Sequence, residues 1–211
     1  MPYPSKTDRQ TILSAAVKEL ARKGIRDLSL RNLAASLGLV PNALYRYFSD
    51  RAALEAALAN EAARRLEQAL RKAAGGCEPI TTIRKMSSAY MKFAKDNRHL
   101  YEVMMSLHAP EHDAASLHSL WAFTVEQVER IAGPDRAAQA SVALWAFLHG
   151  AVTLEAGQVL GDRKPASGLE FGLDAWLMAV STPAAGEAAF RKHHAASENI
   201  IDRERGGHHG K

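Results

Sequence analysis

The 211-residue chain sets 27 lysines and arginines against 23 acids, a net charge of +4, with 47% apolar residues and one cysteine. This is an ordinary globular composition; it excludes an internal disulfide framework, and the lone Cys77 suits a reducing compartment. No uncharged apolar run reaches the ~18 residues of a membrane span, and the opening "MPYPSKTDRQ" lacks an apolar signal core, so the expected location is the cytoplasm, with no membrane partner.

Ala-rich segments of period 3.6 run from end to end and no stretch reads as a strand, so the expected fold class is all-α. The first helix spans about 6–23, with Ile12, Leu13, Ala16, Val17 and Leu20 on one stripe and Gly24 ending it. Ser29 is an N-cap for a helix over 30–36, Gly38 marks a turn, and a third helix spans about 40–46. Ser49 caps a fourth helix that reaches about 73, where "GGCEP" breaks it. Further helices are expected near 80–95, 98–106 and 113–132, the last ended by "GPD". "AAQASVALWAFLHGAVTLEAG" and "GLEFGLDAWLMAV" form the final two, and the polar residues 183–211 read as a flexible tail. The division is 1–51, 52–182 and the tail 183–211.

Charge is concentrated at the start. Residues 1–51 hold nine basic side chains against four acidic ones, so the first quarter carries +5 and the remainder −1. Such asymmetry points to a polyanion partner for the N-terminal part, although a solvated basic face has the same signature. The stretch "LSLRNLAASLGLVPNALYRYF" narrows the choice. Two helices crossing steeply over a tight turn need a small residue at the contact, Ala34. They also need positive φ in the turn, Gly38, and an apolar anchor from the second helix, Leu44 beside Leu33 and Leu37. That is the pattern of a DNA-binding helix-turn-helix. A structural helical hairpin meets the same spacing.

On these residues, and most specifically on "LYRYF" followed by "SDRAAL", residues 8–58 resemble the N-terminal domain of TetR-like transcriptional regulators. "WAFLHGAVTLE" resembles the Trp…His-Gly motif of one C-terminal domain type in that family. The resemblance implies a three-helix DNA-binding head followed by a helical ligand-binding and dimerisation domain, about nine helices in all. It implies that Arg31, Pro41, Asn42 and Ala43 face base edges in duplex DNA, while Tyr45, Tyr47 and Arg51 hold phosphates. Arg31 suits guanine and Asn42 adenine, whereas Pro41 and Ala43 offer only apolar contact to a thymine methyl. Asp50 departs from a basic rim and fits only if it points at the helix terminus.

In the second domain, "VALWAFLHGAVTL" contains no acid, lysine or arginine, and a helix apolar all round must be covered all round. With the last helix it implies a homodimer through the helices near 136–157 and 168–181. Gly150, Gly157 and Gly172 are expected to allow close helix approach. The family binds a small molecule in this domain; here the candidate lining is Met91, Tyr101, Met104, Met105, Trp121 and Trp145, which suits an apolar effector. Each of these side chains serves equally well as plain core, and His149 reads as a hydrogen-bonded core or interface histidine.

Nothing points to catalysis or a cofactor. Cys77 has no basic neighbour, and His108, Glu111, His112 and Asp113 lie in a loop without metal-site spacing, so no metal is expected. The reading is therefore a ligand-released repressor, homodimeric on an inverted-repeat operator. The alternatives are a regulator whose second domain only dimerises or docks a protein, and a helical enzyme.

Overall fold

The computed structural model describes residues 8–76, 78–106, 115–158 and 165–182, the side chains of 165–167 excepted. Nine helices form the regular structure of these residues: α1 (Arg9–Lys23), α2 (Leu30–Ser36), α3 (Pro41–Tyr45), α4 (Arg51–Ala74), α5 (Pro79–Asp96), α6 (Arg98–Met105), α7 (Ala115–Ala132), α8 (Pro134–Ala156) and α9 (Pro165–Ser181). No strand occurs among them, and the all-α expectation holds. Cys77, His108, Glu111, His112, Asp113 and residues 183–211, with the expectations placed on them, lie outside the described residues.

The starts of α1, α2, α4 and α5 fall where a side chain accepts from the otherwise unpaired N–H groups. Asp8 Oδ1 accepts from Thr11 N at 2.7 Å, which starts α1 at Arg9 rather than at residue 6. Ser29 Oγ accepts from Asn32 N at 3.1 Å, as expected. The cap of α4 is Asp50, not Ser49: its Oδ1 accepts from Ala53 N at 2.7 Å, and Ser49 donates to the other carboxylate oxygen. "GPD" both ends α7 and opens α8, because Pro134 sits in the first turn, where its missing N–H has no partner to lose. That places the start of α8 three residues before the expected Ala137.

The long α4 is the spine, packed against α1, α5, α6 and α7. At its N-terminal end the head closes over Ile12, Leu20, Leu33, Ala34, Leu44 and Phe48, none more than 1% exposed. Farther along, Leu58, Leu66, Ile83 and Val128 continue the same apolar cluster into the second domain. The head also touches that domain directly, through α1 against α6. There the imidazole of His99 lies 3.4 Å from where a side chain at Gly24 would begin, and His99 Nδ1 pairs with Glu102 at 3.0 Å.

The last two helices pack as a pair. Leu173, Leu177 and Val180 of α9 are buried, and Trp176 Nε1 donates to the Ala140 carbonyl at 3.1 Å. Arg136 donates to the carbonyls of Ala179 and Thr182 at 2.8 and 3.0 Å, satisfying groups that the end of α9 leaves open. Close approach depends on Gly172 alone of the three expected glycines: a methyl there would collide with the Phe147 ring, whereas Gly150 has nothing within 4 Å. Gly157 instead ends α8 as its C-cap.

The outer faces of this pair are apolar. Val142 is 57% exposed on α8, and Phe171 and Met178 are 78% and 73% exposed on α9. Leu144 and Leu148, on the other side of α8, are buried. By length and composition α8 is also the one described helix that meets the requirements of a membrane span.

Candidate nucleic-acid interface

The turn between α2 and α3 follows from five residues, "LGLVP". Leu37 N donates to the Leu33 and Ala34 carbonyls, and Leu39 N closes the turn on Ala34 O at 2.9 Å. Gly38 adopts φ +66° with open space around it, so backbone conformation and not crowding demands the glycine. Val40 is extended, as a residue before proline must be, and Pro41 then opens α3.

This turn buries Leu33, Ala34 and Leu44 in the core that includes Ile12 and Leu20 of α1 and presents most of the remaining positions outward. Arg31, Pro41, Asn42, Tyr45 and Tyr47 are exposed and Ala43 is half-buried. The helix α3 stops at Tyr45, one residue before the expected end, so Tyr47 stands in the turn that follows. Among the described residues Arg31 and Asn42 have no side-chain hydrogen-bond or ion-pair partner, which leaves both polar groups unengaged. Two more side chains belong to this face and were not singled out from sequence. Val40 is 69% exposed at the tip of the turn, and Arg46 stands exposed between the two tyrosines. The pre-proline position of Val40 and the single charge of Arg46 within "YRY" were their signals.

Arg51 is differently placed. Its guanidinium donates to Ile25 O at 2.7 Å and to Glu55 Oε1 at 2.6 Å, so it braces the α1–α2 connection against α4. Asp50 points into the start of α4, where the helix dipole favours its charge. Arg9 lies over the Phe48 ring at 5.1 Å, adding a cation beside the head's core.

Two cavities among the described residues are lined by the helices from α4 to α8. The outer one, about 670 Å³, is a cleft at the ends of α5, α6 and α8. Of the expected lining residues Met91, Tyr101 and Met105 reach it, together with His149. Trp145 instead lines an inner cavity of about 40 Å³ among α4, α5, α7 and α8. Met104 and Trp121 line neither: Met104 is buried in the core, and half-buried Trp121 stacks on Trp145 with ring centroids 5.8 Å apart. Sequence reasoning missed Tyr90 and Ser87, because two small or polar residues within "MSSAYM" carry no pattern of their own.

A chain of hydrogen bonds separates the two cavities. The hydroxyls of Tyr90 and Tyr101 lie 2.8 Å apart, and Tyr101 Oη is 2.7 Å from His149 Nδ1. Burial pushes both phenols above their ordinary pKa, so both stay protonated and available as donors at neutral pH. For Tyr90 the Tyr101 hydroxyl adds to that shift, while the nearby Trp145 N–H opposes it without making a bond of normal geometry. His149 is thus the hydrogen-bonded histidine that the sequence implied, at the wall of the cleft.

Comparison with known proteins bears on both halves. Residues 12–58 match a family model described as bacterial regulatory proteins, tetR family. Residues 83–175 match one described as tetracyclin repressor-like, C-terminal domain. No curated protein matches the chain. Among solved structures, a protein of unknown function from Rhodococcus sp. RHA1 is 27% identical, with a TM-score of 0.73 over 86% of this chain and 100% of that one. A TetR variant from Acinetobacter baumannii, in complex with minocycline, is 20% identical with a TM-score of 0.64 over 82% and 96%. A TetR regulator from Streptomyces coelicolor is 17% identical with a TM-score of 0.69 over 83% and 98%. The latter two show shared fold.

Proposed function

We propose that this chain, which belongs to the TetR family of bacterial regulatory proteins, acts as a DNA-binding transcriptional regulator and not as an enzyme: a repressor, homodimeric on an inverted-repeat operator and released by a small molecule. The observation that carries the DNA reading is the division of one short motif. Leu33, Ala34 and Leu44 are sealed, while Arg31 and Asn42 stand exposed with unengaged polar groups.

In this reading α3 enters the major groove. Asn42 pairs with adenine and Arg31 with guanine, and Pro41 and Ala43 meet thymine methyls. Tyr45 and Tyr47 hold the phosphates on either side. Arg51 contributes a phosphate contact only by sharing donors with Ile25 O and Glu55, so its main effect there is to fix the head's angle on α4. Two heads related by a dyad then meet half-sites about 34–36 Å apart. The exposed apolar faces of α8 and α9 support a dimer through those helices, since uncovered patches of this kind mark interaction surfaces.

The second domain supports release by a ligand through its two cavities, with Met91, Tyr101 and Met105 at the outer one and Trp145 at the inner one. A ligand that favours a wider separation of the heads lowers DNA affinity by its differential affinity for that state. α4, common to both domains, and the α1–α6 contact are the routes for that coupling.

The test is selection of bound sequences from a random duplex pool, followed by affinity measured against salt. The expected result is an inverted repeat, with log affinity falling linearly as log salt rises. A chain that enriches no sequence and binds duplex without salt dependence is not a regulator of this kind.

A further inference from the structure

We infer, on the reading of the second domain as a small-molecule receptor, that the effector is an uncharged, largely apolar molecule with one hydrogen-bond-accepting oxygen, held in the inner cavity by Ser87 and Trp145. The cavity's wall is aliphatic, from Leu66 and Leu70 of α4, Ile83 of α5 and Leu144 of α8. Among the described residues, no Asp, Glu, Lys, Arg or His lines it. An ion entering such a wall loses its hydration and gains no counter-charge, so charged ligands are excluded.

Four polar side chains interrupt this wall, and two of them are already bonded, Thr124 to the Leu120 carbonyl and Tyr90 to Tyr101; the other two are not. Ser87, 2% exposed, has a buried Oγ with no hydrogen-bond partner, and the buried Nε1 of Trp145, although near the Tyr90 hydroxyl, makes no bond of normal geometry either. Buried donors without partners are rare because each forfeits its bonds to water. Here two of them, from different helices, line one cavity. The indole N–H can only donate, so the group that satisfies it must accept; the serine hydroxyl rotates to suit either role. A carbonyl or ether oxygen meets both demands.

Size restricts the ligand further. About 40 Å³ holds roughly three or four waters at ~10–15 Å³ each, well short of a drug-sized site of ~300 Å³. The occupant is therefore slender, and its apolar part makes room by moving Met86, whose thioether chain adapts readily. Tyr90, which lines the cavity, joins it through Tyr101 to the outer cleft, so displacing the tyrosine pair opens the way in.

The full-length protein tests this with 2-hexanone, hexanoate and hexylammonium, three probes of one length and different charge. Thermal melting and tryptophan emission are the readouts, since Trp145 lines the cavity and stacks on Trp121. The ketone is expected to raise the melting temperature and shift the emission, and the two ions to do neither. Ser87→Ala and Trp145→Phe are each expected to weaken ketone binding about tenfold. Ser87→Ala alone is expected to raise the melting temperature of the unliganded protein, because it deletes an unmet polar group at little loss of volume. Should Trp145→Phe fail to fold, Ser87→Ala decides. An ion that binds as tightly as the ketone overturns the inference, as does ketone binding indifferent to both variants or no response to the ketone at all. Operator binding measured without any probe tests the regulator reading separately: its absence sinks that reading and leaves the ketone response standing.

Discussion

The head and the α8–α9 pair are both helical and rich in apolar side chains, yet they dispose of them in opposite ways. Within the head's helices α1, α2 and α3 every leucine, isoleucine and valine is buried or half-buried, and what remains outside, Val40 in the turn and Pro41 apart, is mainly polar. On α8 and α9 the buried stripe is matched by a second apolar stripe that faces outward, with Phe171 and Met178 its most exposed members. A surface of the first kind tolerates water and awaits a polar partner; one of the second kind awaits an apolar partner. The difference says where each domain is unfinished.

Substitutions at the two surfaces break or sharpen this contrast. The largest effect belongs to the sealed side: Leu44→Ala removes a side chain with no exposure and is expected to cost about 3 kcal/mol, read by urea denaturation. A loss below about 1 kcal/mol means that the head has no closed core and the contrast fails. Next, Phe171→Glu with Met178→Glu is expected to weaken self-association at least about 30-fold, or ~2 kcal/mol, by sedimentation equilibrium. Unchanged association moves the dimer contact elsewhere. Asn42→Ala is expected to lose about 1–3 kcal/mol of discrimination at one base step, with non-specific binding retained; uniform weakening across sequences places Asn42 on the backbone instead.

Smaller effects refine the picture. Gly38→Ala meets open space but inherits φ +66°, so a stability loss of about 1 kcal/mol is expected from backbone strain alone. The smallest concerns pH. The hydrogen bond from Arg64, followed by that from Arg65, holds the Glu61 carboxylate below its ordinary value of 4.5 against the opposing effect of burial. A lowered carboxylate stabilises the fold fully above its unfolded pKa and loses that contribution as pH falls through the folded one. Melting followed by circular dichroism should therefore drop below pH 4.5, and Glu61→Gln should flatten part of that drop.

Legibility in the sequence tracks the same contrast. The head's turn could be read because glycine, proline and a capping serine each answer a specific backbone demand, as Gly38, Pro41 and Ser29 do. Ser49 and Asp50 are adjacent cap formers, and only the geometry of Ala53 N separates them. In the second domain residue type stops being informative. Met104 and Met105 differ by one step of about 100° around α6, which sends the first into the core and the second to the cleft. Trp145 lies on a helix apolar on all sides, so its phase was unreadable and it went to the inner cavity, not the outer. Arg51 was chosen for its charge, and no sequence pattern announces the Ile25 carbonyl, 26 positions earlier, that engages it.

The spine α4 has one mechanical consequence. Its 24 residues make an unbroken rod of about 36 Å, at 1.5 Å per residue. A tilt of only about 5° at the cavity end therefore swings the opposite tip by about 3 Å, close to the ~3.4 Å stacking rise of duplex DNA. A displacement too slight to rearrange the protein's interior is in this way magnified to the spacing of the nucleotides themselves.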